Sequence, residues 1–113
     1  MAAVQHNIVF ATGEDFSFNL IIEDNTGTAV DIGGDTFTAE IRRASGKPLE
    51  ASFTCTVEGD GSTGRVTCVL PDTETSKLDE NVRYRWDLFR DTGTTKTQLI
   101  KGEARLNWNI SNV

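Results

Sequence analysis

Residues 78–93 read LDENVRYRWDLFRDTG, and the fold class turns on how that stretch is parsed. Tyr84, Trp86 and Leu88 occupy alternate positions, with Arg83, Arg85 and Asp87 interleaved. Period-two alternation places one set on an apolar face and the other on a solvent face, as in a half-buried strand. The run stops at RDTGTT, a cluster of turn formers. Leu78 stands six positions before Tyr84. That spacing suits a tyrosine corner, in which the hydroxyl bonds back to upstream backbone and closes a Greek-key sandwich. The alternative is that Tyr84 is one more inward aromatic.

Working outward, the same alternation recurs in short runs. Phe16, Phe18, Leu20 and Ile22 alternate with Ser17, Asn19 and Ile21 before the turn EDNTGT. Phe37, Ala39 and Ile41 alternate with Thr38, Glu40 and Arg42 before SGKP. Ala51, Phe53, Cys55 and Val57 make one inward row, and Val66, Cys68 and Leu70 make the next, joined by the hairpin turn EGDGSTG. Ile100, Ala104, Leu106, Trp108 and Ile110 mark a long last strand, and Ile8 to Phe10 mark a first one. Helical periodicity is confined to DTETSKLDEN, where Asp72 or Thr73 can cap a short turn near residues 73–79 that crosses between two sheets. The expectation is an all-β, immunoglobulin-like antiparallel β-sandwich of about seven strands. Its predicted core holds Phe16, Phe18, Phe37, Phe53, Trp86, Leu88, Leu106 and Trp108.

Residues 1–113 read as one domain, and a chain of that length buries roughly 65% of its unfolded surface. Residues 1–13 read either as a first strand or as an N-terminal arm extended to a neighbour. Seventeen acidic against eleven basic side chains give a net charge of -6, which repels a phosphate backbone over most of the surface. Nucleic acid and anionic membrane are therefore not expected partners. The opening residues have no basic segment ahead of a long apolar core, and no apolar run approaches about 18 residues, so neither a secretory signal nor a membrane span is read.

Cys55 and Cys68 are the two cysteines. A hairpin pivoting near Gly61 and Ser62 sets them opposite one another on the buried face, beside Val57 and Val66. A bridge directly across paired strands is geometrically awkward, so free thiols in a reducing compartment are expected over a disulfide.

Each candidate for chemistry has an ordinary structural explanation. Gly59, Gly61 and Gly64 match GxGxxG, but the strand-like RVTCVL follows where a dinucleotide site needs a helix. His6 is the single histidine and sits near a chain end, so no histidine-based triad or zinc cluster assembles around it. Glu14 with Asp15, Asp31 with Asp35, and Asp79 with Glu80 read as turn formers rather than calcium ligands. Asn109-Ile110-Ser111 matches a glycosylation acceptor but falls in the expected last strand. No cofactor or metal is expected, and no enzyme. Arg83, Arg85 and Asp87, beside Glu40, Arg42, Glu103 and Arg105, are expected to form an outward lattice of mixed charge, either a solvated face or a polar protein interface. Ile21 and Phe89 interrupt the polar outward rows and are candidate partner contacts together with Arg83 and Arg85.

The run from Glu14 to Ser111, and above all Tyr84-Arg-Trp-Asp-Leu88 followed by Gly102-Glu-Ala-Arg-Leu106, resembles small immunoglobulin-like β-sandwich virion proteins of tailed bacteriophages, of the tail, baseplate or fibre-attachment type. The resemblance carries no catalytic residue. It implies a non-enzymatic structural component of a virion, assembled in the host cytoplasm in multi-copy symmetric fashion, that docks other virion proteins as an adaptor. Two alternatives are a capsid decoration protein of the same fold and a carbohydrate-binding adhesion module. The aromatics Tyr84, Trp86 and Trp108 share inward parity, which speaks against stacking on sugars.

Overall fold

The computed structural model describes residues 3–107, and they build an all-β protein with one helical turn. Six strands form the larger sheet: β1 (Val4–Gln5), β2 (Ile8–Ala11), β4 (Thr36–Arg42), β5 (Leu49–Ser52), β8 (Tyr84–Asp91) and β9 (Lys96–Asn107). Its order is β1-β9-β8-β4-β5, with β2 also on β9. The smaller sheet has the order β3-β7-β6, from β3 (Phe16–Ile21), β6 (Thr54–Val57) and β7 (Arg65–Leu70). The turn α1 (Asp72–Thr75) lies on the crossover from β7 to β8.

Alternation decides which side chains enter the space between the sheets. Tyr84, Trp86 and Leu88 are buried on β8, while Phe37, Ala39 and Ile41 are buried on β4. Val66, Cys68 and Leu70 meet them from β7. Aromatic rings join the layers: Phe18 of the smaller sheet stands edge-on to Trp86 of the larger at 5.5 Å, and Phe53 lies 5.8 Å from the same indole. Contacts of this kind add about 0.5–1.5 kcal/mol each beyond the area they bury.

Nine strands stand among the described residues where about seven were expected, for two reasons. The row Ala51 to Val57 is two strands, β5 in one sheet and β6 in the other. Phe53 is the crossing point, buried, with its backbone N–H donating to the Ala39 carbonyl at 2.9 Å. Alternation runs unbroken through such a crossing because the same side chains face the core from either sheet. The second reason is β1, a two-residue addition ahead of β2. Both β1 and β2 pair with β9 in parallel, so the expectation of a purely antiparallel arrangement is corrected. Parallel pairing needs a long connection between the strands, and here the whole domain provides it. Val4–Gln5 and Ile8–Ala11 thus lie as strands on β9 of the same protomer.

The helical turn is shorter than expected and is capped differently. It spans Asp72–Thr75 with Pro71 at the N-cap position and no capping side chain of its own. The Asp15 carboxylate does that work instead, accepting from the Asp72 N–H at 2.7 Å. Thr75 anchors the turn from inside: fully buried, its hydroxyl donates to the Glu14 carbonyl and accepts from the Gly13 N–H.

Of the expected core, Phe37, Phe53, Trp86 and Leu88 are buried, whereas Phe16, Phe18 and Leu106 are half-buried. The difference at Phe16 and Phe18 follows from β3 being the outer strand of the smaller sheet. Trp108 and the Asn109–Ser111 acceptor pattern lie outside the described residues. Ile32 and Phe10 belong to the core although no long alternating run marks them.

Candidate functional site

The outer face of the larger sheet is built by the residues between the buried ones. On β4 these are Thr38, Glu40 and Arg42, and on β8 they are Arg85, Asp87 and Phe89. Pairing sets Glu40 opposite Asp87 and Arg42 opposite Arg85 across β4 and β8. Across β8 and β9, Asp87 meets Lys101 and Arg85 meets Glu103. Two rows result. One reads Glu40, Asp87, Lys101 and the other Arg42, Arg85, Glu103, so each row has two like charges side by side. Like charges directly opposite are destabilising by the same few tenths of a kcal/mol that opposite ones contribute.

Local bonds relieve part of this conflict. Arg42 turns along its own strand to Glu40 at 3.0 Å and donates to the Lys47 carbonyl at 2.7 Å. Gln98 donates to Asp87 at 3.1 Å. Even so, burial pushes the Asp87 carboxyl above its usual range; the Gln98 hydrogen bond works against that shift, Glu40 adds to it and Arg42 opposes it. Among the described residues Arg85 and Lys101 make no ion pair, so their charges are available to a partner. The face is a shallow concave depression of about 620 Å³ with Phe89, 37% exposed, on its wall.

The partner-contact candidates do not all meet here. Arg85 and Phe89 lie together on this face, both lining the depression. Arg83 is exposed in the connection before β8 and does not line it. Ile21, 46% exposed, belongs to the other sheet, at the end of β3. It borders a separate apolar groove of about 970 Å³ where Leu20, Ile22, Val30, Leu99 and Ile100 lie between the sheets at the free edge of β3.

Gln98 escaped the sequence reading because β9 carries a bulge, whereas Lys101 keeps the outward parity of Glu103 and Arg105. The register against β8 shifts between Leu88 and Phe89, so Ile100 pairs with Leu88 but Gln98 pairs with Phe89. One extra residue, Leu99, reverses the parity of everything before it. The adjacent apolar pair Leu99-Ile100 was the sequence sign of that bulge.

The two residues of the corner motif come together at the opposite side of β8. Leu78 and Tyr84 are both buried, and the Tyr84 hydroxyl accepts from the Asp79 backbone N–H at 2.9 Å. The glycine pattern at Gly59, Gly61 and Gly64 is followed by β7, not by a helix. Its glycines serve close backbone packing: the Ile32 N–H donates to Gly61 and the Ile22 N–H to Gly64, at 3.0 and 2.8 Å. Among the described residues no three of His, Cys, Asp and Glu are grouped so as to hold a metal ion. In comparisons with known proteins, no family model and no curated protein matches this chain.

Proposed function

We propose that this chain is a non-enzymatic structural module of a phage virion, an immunoglobulin-like adaptor that docks tail, baseplate or fibre proteins through the outer face of its larger sheet. The immunoglobulin-like reading is supported by the sheet orders, β3-β7-β6 against β1-β9-β8-β4-β5, by the parallel pairing of β1 and β2 with the last strand, and by Tyr84 bonding back to Asp79. The phage setting rests on the resemblance of the Tyr84–Leu88 and Gly102–Leu106 strands.

The observation that carries docking is the paired rows on β4, β8 and β9. Like charges that are only partly compensated, beside an exposed aromatic, are costly in the free protein and useful in a complex, where a complementary surface adds ion pairs around a buried anchor. Many copies in a symmetric particle multiply contacts that are individually weak.

The test is immunolabelling of purified phage particles with an antibody to this chain, followed by incorporation of face variants. Signal on the tail or baseplate, lost for Phe89→Asp and Arg85→Glu while their thermal unfolding stays near wild type, is the expected result. Signal confined to the head points to decoration instead, and no signal on particles overturns the virion reading.

A further inference from the structure

Cys55 and Cys68 are free thiols that pair directly across β6 and β7. Two independent hydrogen bonds fix what kind of pair they make. In an antiparallel ladder, bonded and non-bonded pairs alternate. The Glu58 N–H donates to the Arg65 carbonyl at 3.0 Å, making that pair a bonded one. Counting back through Val57–Val66 and Thr56–Thr67, the cysteines fall at a non-bonded pair. On the other flank of β7, the Ile22 N–H donates to the Gly64 carbonyl, and the same alternation turns the backbone of Cys68 toward Phe18 and away from Cys55. Non-bonded pairs bring α-carbons to about 4.5 Å and side chains closest together. Disulfides span about 4.4–6.8 Å between α-carbons, so a bridge fits here at the tight end of the range.

The two sulfurs differ in access and activation. Cys68 is fully buried on the central strand, whereas Cys55 is half-buried on the outer strand β6. The neighbouring Cys68 thiol and the Ala39 backbone N–H favour the Cys55 thiolate against the opposing effect of burial. Cys68 keeps its proton, held by the neighbouring Cys55 and by burial. The more accessible thiol, Cys55, is thus paired across the strands with a buried thiol placed to resolve it.

We propose that Cys55 and Cys68 form a reversible modification site for low-molecular-mass disulfides, closing a strained cross-strand bridge within the smaller sheet. The Cys55 thiolate attacks one sulfur of the incoming disulfide, breaking its S–S bond and releasing one thiolate, which takes a proton from solvent. Cys68 then gives up its proton and attacks the Cys55 sulfur of the mixed disulfide, expelling the second thiolate, which leaves as a thiol. Two protein thiols are oxidised, and one small disulfide is reduced to two thiols. A bridge at the short end of the allowed span is more easily reduced than a relaxed one, so the reverse reaction is open to an excess of the same small thiol. This site does not depend on the docking reading.

The test incubates the full folded chain with glutathione at graded ratios of disulfide to thiol, without denaturant, then quenches with acid, alkylates and maps the peptides by mass. The expected product has lost two hydrogens, retains no glutathione, links the peptides of Cys55 and Cys68, and returns to dithiol in excess reduced glutathione. Cys68→Ala should retain one glutathione on Cys55. In the wild-type chain, brief alkylation should label Cys55 at least tenfold faster than Cys68. Absence of the bridge at every ratio, its formation only in denaturant, or equal labelling of both cysteines overturns the proposal.

Discussion

The indole N–H of Trp86 donates to the backbone carbonyl of His6 at 2.9 Å, joining the centre of β8 to the gap between β1 and β2 across eighty positions of sequence. Gly102, paired with Trp86 on the intervening strand, makes this possible. A β-carbon at Gly102 would collide with the His6 carbonyl oxygen, so the N-terminal strand can lie where it does only over a glycine. Asn7 completes the join by accepting from the Glu103 N–H at 2.9 Å.

Gly102→Ala should therefore destabilise the protein by about 1–3 kcal/mol, the usual cost of overpacking. Hydrogen exchange should locate the effect, with protection lost first in residues 4–11. Trp86→Phe keeps most of the apolar contact but removes the hydrogen bond to the His6 carbonyl, at a cost of about 0.5–1.5 kcal/mol. Unchanged exchange in the first strands of both variants would contradict this account of how they are held.

Tyr84→Phe removes only the hydroxyl that accepts from Asp79. Chemical denaturation should report a loss of about 1 kcal/mol with an unchanged m-value, since the ring and its burial remain. A loss below the error of the measurement would mean that the bond does not brace the connection from α1 to β8.

The glycines of the β6–β7 turn should differ in their tolerance of alanine. Gly59 and Gly64 both have positive φ, 59° and 71°, and each alanine meets the backbone penalty of about 1 kcal/mol. At Gly59 the new methyl enters open space, but at Gly64 it would lie 2.6 Å from the Ile22 carbonyl oxygen. Gly64→Ala should cost about 1–3 kcal/mol more than Gly59→Ala. Equal midpoints for the two in thermal unfolding would show that the turn can shift away from Ile22.

Asp87 gives a signed pH dependence. Its carboxyl is held above the ordinary value of 3.8, chiefly by burial, so the folded state binds more protons than the unfolded one just above that value. Stability contributed by the protonated form is present below the ordinary value and is lost as pH rises through the raised one. Glu74 acts in the opposite sense. Lys77, at 2.6 Å, and the Ser52 N–H lower its carboxyl, so its contribution is present above its ordinary value of 4.5 and is lost as pH falls through the lowered one. Asp87→Asn keeps an acceptor for Gln98 while removing the like-charge contact with Glu40. It should be more stable than wild type at pH 7 by up to about 1 kcal/mol, and the difference should vanish as the pH falls below 4. A variant less stable than wild type at neutral pH would show that Lys101 and Arg42 outweigh burial and Glu40.

What the sequence alone determined was the face of each strand. The alternation of Tyr84, Trp86 and Leu88 with Arg85 and Asp87, and of Cys55 and Val57 with their neighbours, assigns inside and outside because a pleated backbone alternates sides at every residue. The facing of Cys55 and Cys68 follows from the same alternation once the hairpin pivots near Gly61 and Ser62. Tertiary structure alone decided which edges meet. Every strand offers the same N–H and C=O groups, so nothing local states that β2 lies parallel to β9, that Phe53 carries the chain from one sheet to the other, or that Leu99 bulges and turns Gln98 toward Phe89. The juxtaposition of Glu40 with Asp87 and of Arg42 with Arg85 depends on those pairings. The outward residues of β4 and β8 were therefore visible in the sequence, but the charge rows they form existed only once distant strands were brought side by side.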